Sequence, residues 1–190
     1  MQKETLSASE AMQKLVEGNK RYLAASSNTG DISSKIRKFT CEEGQSPYAV
    51  VITCSDSRVI PESIFMAGIG ELFVIRVAGN VMDDHQLGSV EYAVDHLGCK
   101  LVVVLGHEHC GAVDAAIHGE PGGYVKSITD EIRKAIGEEK DALRASCLNV
   151  ERSVSIIKES LGLTESKPGN DLKVCGAVYY IGSGSVEFFE

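Results

Sequence analysis

The sequence predicts an α/β fold, a mostly parallel central sheet flanked by helices, on three observations. The short apolar run Tyr48–Cys54 reads as a strand buried on both faces, Leu101–Leu105 as a further buried strand and Leu172–Ile181 as the last long strand. Segments with helical spacing of apolar residues stand before and between them, at Ser7–Leu23, His85–Leu97 and Tyr124–Leu161. Strands alternating with helices in this way build parallel sheets with helices on both faces.

Each element has a local cause. Ser7 and Glu10 fit a capping box, and Met12, Leu15, Val16, Tyr22 and Leu23 fall on one stripe of the first helix. The polar stretch Ser26–Gln45 reads as a loop with short helical pieces. The first buried strand is Tyr48–Cys54, Pro61 suits the first turn of a short helix to Met66, and Leu72–Val77 is a second strand. In His85–Leu97 the residues Leu87, Val90, Ala93, Val94 and Leu97 face inward, and Gly98 stops the helix. Leu101–Leu105 is a third strand and Gly111–Ile117 a short helix. Tyr124–Leu161 is helical with a break near Gly137, and Leu172–Ile181 turns through Gly182–Ser185 into Val186–Phe189. No repeat, low-complexity tract or linker divides the chain. One domain is expected over 1–190, with an N-terminal helical arm and loop at 1–45 and an α/β core at 46–190.

Composition narrows the function. A chain of 190 residues with 43% hydrophobic content is enough for one substantial core. A formal net charge of −8 disfavours nucleic acid and anionic membrane surfaces, both of which select clustered Lys and Arg. No apolar run approaches the ~20 residues that span a bilayer, and Met1–Thr5 opens no apolar signal core. A cytoplasmic protein is the expectation. Six cysteines without a secretion signal read as thiols or metal thiolates rather than a disulfide framework. Cys41, Cys99, Cys147 and Cys175 are expected to be small buried hydrophobes.

Cys54 and Cys110 have different company. Cys54-Ser55-Asp56-Ser57-Arg58 lies at the carboxyl end of the first buried strand, and Gly106-His107-Glu108-His109-Cys110-Gly111 just past the end of the third. In open parallel sheets that edge forms the ligand crevice, so both segments can face one site. A histidine and a cysteine three residues apart, with a cysteine from the neighbouring strand, make a two-thiolate, one-imidazole set that suits Zn2+. Three protein ligands leave a fourth position for water, which marks a catalytic site. His109 is a weaker candidate, because adjacent residues rarely both reach one ion from a tight turn. Asp56 and Arg58, at alternate positions of an extended segment, project to one side and can form a two-pronged ion pair. Asp56 can then orient a metal-bound water, form a structural salt bridge only, or fill the fourth metal position and close the site.

These motifs resemble the paired signature of the beta-class carbonic anhydrases. The likeness extends through Gly18-Asn19, Gly44-Gln45-Ser46-Pro47, Gly70-Glu71-Leu72-Phe73, Arg76-Val77-Ala78-Gly79-Asn80, Glu91-Tyr92-Ala93-Val94 and Gly176-Ala177-Val178-Tyr179, nearly the whole chain. The resemblance implies zinc, one ion per chain, on Cys54, His107 and Cys110, a catalytic dyad of Asp56 and Arg58, and reversible hydration of carbon dioxide to bicarbonate. It implies homodimers or homotetramers. Gln45, Phe73 and Tyr92 match residues that line the substrate pocket across the dimer interface in the plant-like subfamily. The other subfamily carries a regulatory tryptophan, and this chain has none, so the open form is expected. Val77 is a further candidate to pack beside carbon dioxide, and Tyr92 with nearby waters a candidate proton relay. Tyr180 stands where relatives often carry an acidic residue.

Other readings remain at this point. A hydrolase of carbonyl sulfide or carbon disulfide would share the fold and metal site. A non-catalytic metal or bicarbonate-binding module would have Asp56 on the metal. A thiol redox protein is disfavoured by the lack of a C-x-x-C pair.

Overall fold

The computed structural model describes residues 5–162 and 171–189. Helix α1 (Ala8–Ala24) starts where the capping box requires, with the Glu10 amide donating to Ser7 Oγ and Ser7 N–H donating to Glu10 Oε2. Then follow α2 (Ser34–Glu43), β1 (Ala49–Thr53), α3 (Pro61–Ile64), β2 (Leu72–Arg76), α4 (Asp84–Glu91), β3 (Leu101–His107), α5 (Gly111–His118), α6 (Val125–Ile136), α7 (Ala142–Ser160), β4 (Lys173–Tyr179) and β5 (Val186–Phe189). Strand order is β2-β1-β3-β4-β5; the first four are parallel and β5 runs antiparallel to β4.

Alternation along the buried strands sorts the core into two layers. Ala49 and Val51 of β1 with Leu101, Val103 and Leu105 of β3 meet Ala11 and Leu15 of α1 and Ile64 and Phe65 near α3. Val50 and Ile52 with Val102 and Val104 face Val90 of α4, Ala93 just past it, and Val150, Val154 and Ile157 of α7. Helix α7 comes close to the sheet: a Cβ on Gly106 would lie 2.6 Å from Val150 Cγ2, so β3 needs glycine one residue before His107. A third cluster caps the carboxyl ends of the strands, where Val113, Ala116, Ile132, Ile136 and Ala145 of α5, α6 and α7 pack with Cys54 and Cys110.

Several sequence expectations are adjusted. β3 runs two residues further than its apolar run, through Gly106 and His107, because both continue the ladder opposite Val178 and Tyr179. Helix α4 widens into a π-type turn at Tyr92–His96 before Gly98, and Asp83 and Gln86 supply a capping box that the sequence reading did not use. Leu23 is exposed rather than on the buried stripe, which instead continues through Gly18 and Asn19. Cys99 and Cys175 are buried as expected, whereas Cys147 is half-buried and Cys41 on α2 is exposed.

Candidate metal centre

Strand order 2-1-3 places a topological switch between β1 and β3. The chain leaving β1 feeds β2 on one side, the chain leaving β3 feeds β4 on the other, and a crevice opens between the two strand ends. Cys54 is the first residue after β1 and His107 the last of β3. Thr53 Oγ donates to the Leu105 carbonyl at 2.7 Å and ties these two strand ends together. His109 adopts φ +53, a conformation uncommon outside glycine, and this sharp turn returns Cys110 to the start of α5. Glu108 holds the loop from behind: its N–H donates to the Tyr179 carbonyl at 3.1 Å and its carboxylate accepts from Gly182 N–H at 2.8 Å.

The potential ligand atoms of Cys54, His107 and Cys110 all lie within 4.8 Å of one another, and all three residues are buried. His107 Nδ1 sits 2.8 Å from the Glu108 carbonyl, which fixes the proton there and leaves the Nε2 lone pair free. Nε2 has no hydrogen-bond partner although it is buried. A buried acceptor without a donor costs about 1–3 kcal/mol, and a cation at the centre of the three groups removes that cost. Two sulfurs and one imidazole are a donor set for Zn2+, so these residues fit that ion. Without a metal, the hydrogen bond from Cys110 holds the Cys54 thiol well below its usual range, aided by the Gly79 N–H. The same bond, with burial, pushes the Cys110 thiol up. Metal binding takes up cysteine as thiolate and so releases protons from such a pair.

Asp56 and Arg58 form the two-pronged pair expected of them. Arg58 Nε donates to Oδ1 at 2.9 Å and Nη2 to Oδ2 at 2.7 Å. They meet through a turn rather than along an extended segment: Arg58 N–H donates to Asp56 Oδ1, and Val59 N–H to the Asp56 carbonyl. The side-chain hydrogen bond from Arg58 holds the Asp56 carboxyl well below the usual carboxylate range. Both carboxylate oxygens are engaged by the guanidinium. Arg58 also donates to the His109 carbonyl at 3.1 Å, which links the dyad to the loop between His107 and Cys110.

Sequence reasoning gave no role to Arg76. At the end of β2 it donates to the carbonyls of Cys54 (3.2 Å) and Asp56 (2.8 Å), bracketing the segment that carries a metal-ligand candidate and the dyad. Its pairing opposite Thr53 is the signal that would have found it, and that register is tertiary information. Val77 packs in the apolar cluster around Cys54 and Cys110. Gln45, Phe73 and Tyr92 do not join these groups within one chain. Phe73 pairs with Val50, four residues before Cys54, about 13 Å along the strand at ~3.3 Å per residue. Its ring lies tilted beside that of Tyr92, with centroids 6.2 Å apart, and Tyr92 and Gln45 are exposed.

Comparison with known proteins agrees with this architecture. The family model described as carbonic anhydrase matches residues 49–186. "Carbonic anhydrase 2" of Mycobacterium tuberculosis is 37% identical over 185 residues, covering 92% of this chain and 89% of that protein. A structure from Sordaria macrospora, described among two tetrameric beta-carbonic anhydrases, superposes with a TM-score of 0.71 at 29% identity, covering 82% of this chain and 87% of the other. The Coccomyxa beta-carbonic anhydrase in complex with acetazolamide gives a TM-score of 0.66 at 29% identity, covering 85% and 87%.

Proposed function

The chain belongs to the carbonic anhydrase family, in its beta class, and from that premise we propose that it hydrates carbon dioxide reversibly at a zinc ion held by Cys54, His107 and Cys110. The observation that carries the reading is the unpartnered, buried Nε2 of His107, converging with two buried sulfurs at the switch point of the sheet. When bound, zinc supplies Lewis acidity, which makes water a nucleophile near neutral pH.

The chain's own residues do the rest. Asp56, kept ionised by Arg58, accepts a hydrogen bond from the attacking oxygen and turns its lone pair toward the carbon of carbon dioxide. Fixing this direction in advance removes orientational entropy from the barrier. With both carboxylate oxygens on the guanidinium, the carboxylate is held by Arg58 and not free to swing onto the metal, which favours an open site over a closed one. Val77 and the apolar cluster around the two cysteines keep that side of the site dry and suit an apolar substrate.

Gln45, Phe73 and Tyr92 serve the site of a second copy in this reading. β2 is a sheet edge of Leu, Phe, Val and Ile whose residues stay half-buried, so the chain alone leaves that apolar edge uncovered. A homodimer or homotetramer that covers it agrees with the tetrameric Sordaria relatives. Among the described residues no helix is long and apolar enough to cross a membrane.

The test is stopped-flow carbon dioxide hydration from about pH 6.5 to 9, with zinc measured on the same sample. Rapid hydration rising with pH at about one zinc per chain is expected. Full zinc occupancy without hydration would refute the activity.

A further inference from the structure

Two buried polar side chains of α7 act on one loop. Asn149 and Ser153 stand one helical turn apart, each 2% exposed. Asn149 Nδ2 donates to the Gly79 carbonyl at 2.7 Å, and Ser153 Oγ donates to the Asn80 carbonyl at 3.1 Å. Both acceptors belong to consecutive residues in the left-handed region, Gly79 at φ +69 and Asn80 at φ +44. Asn80 N–H closes the turn on the Val77 carbonyl at 3.0 Å. Its third position is glycine, as a turn of type II geometry demands. The N–H of Gly79 donates to Cys54 Sγ at 3.2 Å.

These contacts form one mechanical chain from α7 to a sulfur. The Asn149 bond fixes the peptide plane between Gly79 and Asn80, and Gly79 joins that plane to the one carrying its own N–H. Without the Asn149 bond the 79–80 plane is held only by the Asn80 N–H on the Val77 carbonyl, and Gly79, with the widest conformational range of any residue, holds its own N–H less firmly in one direction. We propose that Asn149, with Ser153 behind it, is a positioning residue for the metal centre: it locks the Gly79 turn so that the Gly79 N–H stays aimed at Cys54 Sγ. The proposal rests on the zinc reading of Cys54, His107 and Cys110. An N–H bond to a thiolate withdraws charge from the sulfur and fixes the lone pair that faces the metal. Outer-shell partners of this kind typically alter metal affinity by about 10- to 100-fold when removed.

A merely structural Asn149, satisfying a buried carbonyl, would affect stability and nothing at the metal. The experiment therefore measures zinc affinity, by competition with a chromophoric chelator, and the thiolate-to-metal charge-transfer band of the cobalt-loaded protein. It compares wild type, Asn149→Ala, Ser153→Ala and Val154→Ala. Val154 lies on the same helix but packs in the apolar layer with Val150 and Ile157. Asn149→Ala is expected to weaken zinc binding about 10- to 100-fold and move the band to lower energy. Ser153→Ala should move both in the same direction by less, and it decides the matter if Asn149→Ala does not fold. Val154→Ala should lower the melting temperature and leave affinity and band in place. Wild-type affinity and band in the two polar variants, or equal shifts in Val154→Ala, would overturn the positioning role. Wild-type protein that takes up neither zinc nor cobalt would instead overturn the metal reading itself.

Discussion

Replacing Asp56 by Asn keeps the shape of the side chain and removes its charge and one of its two acceptor atoms. The carboxylate is bound at 2.9 and 2.7 Å by Arg58 and again at 2.9 Å by the Arg58 amide. A hydrogen bond to an ionised group contributes about 1.5–3 kcal/mol, against about 0.5–1.5 for a neutral one, so the variant holds its direction less firmly. It also loses the charge that strengthens its hydrogen bond from the attacking oxygen, and removing one such preorganised contact typically costs about 10²–10³-fold in rate. Together these give an expected fall in kcat of roughly 10²–10³-fold, or about 3–4 kcal/mol. Zinc content should stay at the wild-type level, because Asp56 is assigned to the nucleophile and not to the metal. The pH profile adds a second reading. The folded-state pKa of Asp56 is depressed by Arg58, so its contribution is present above the unfolded carboxylate value and lost only in acid, as pH falls through the folded value. Over the neutral range Asp56 stays ionised, and a rise of hydration with pH there belongs to another group. Stopped-flow hydration should therefore show Asp56→Asn with a lowered plateau and an unmoved midpoint. Hydration within about threefold of wild type at full zinc content would remove Asp56 from the mechanism, and a loss of zinc would show it holding the metal.

Gly79→Ala forces a Cβ to within 2.8 Å of Ile132 Cδ1 and 3.0 Å of Ala112 Cβ at φ +69, so urea unfolding should show a loss of about 1–3 kcal/mol. Arg76→Ala frees the carbonyls of Cys54 and Asp56, and a fall in kcat of about tenfold with zinc retained is expected in the same hydration assay. Ser7→Ala breaks the capping box of α1 far from the strand ends; it should cost about 1 kcal/mol in urea unfolding and leave kcat unchanged.

Most of the fold is legible in the chain because its buried strands are apolar runs, its helices show apolar periodicity and α1 opens on a capping box. Where the reading fell short, tertiary contacts had overridden local pattern. Gly106 and His107 do not look like strand, yet the ladder to β4 and the close approach of Val150 hold them in one. Leu23 fits the stripe of α1 by spacing, but the helix ends before any element covers it. Asp56 and Arg58 meet by folding a turn, which the i, i+2 spacing alone does not distinguish from an extended segment.

The donor types, the strand ends that carry them and the charge pair beside them are readable from the chain, because all of these depend on residue identity and short-range periodicity. The order of strands, the crevice between β1 and β3, the reach of Arg76 and the hold of Asn149 and Ser153 on the Gly79 turn were decided only by the tertiary structure. Cys54 and the two α7 residues are separated by half the chain or more, and nothing in local spacing encodes a link that exists only after the sheet has closed and α7 has packed across it.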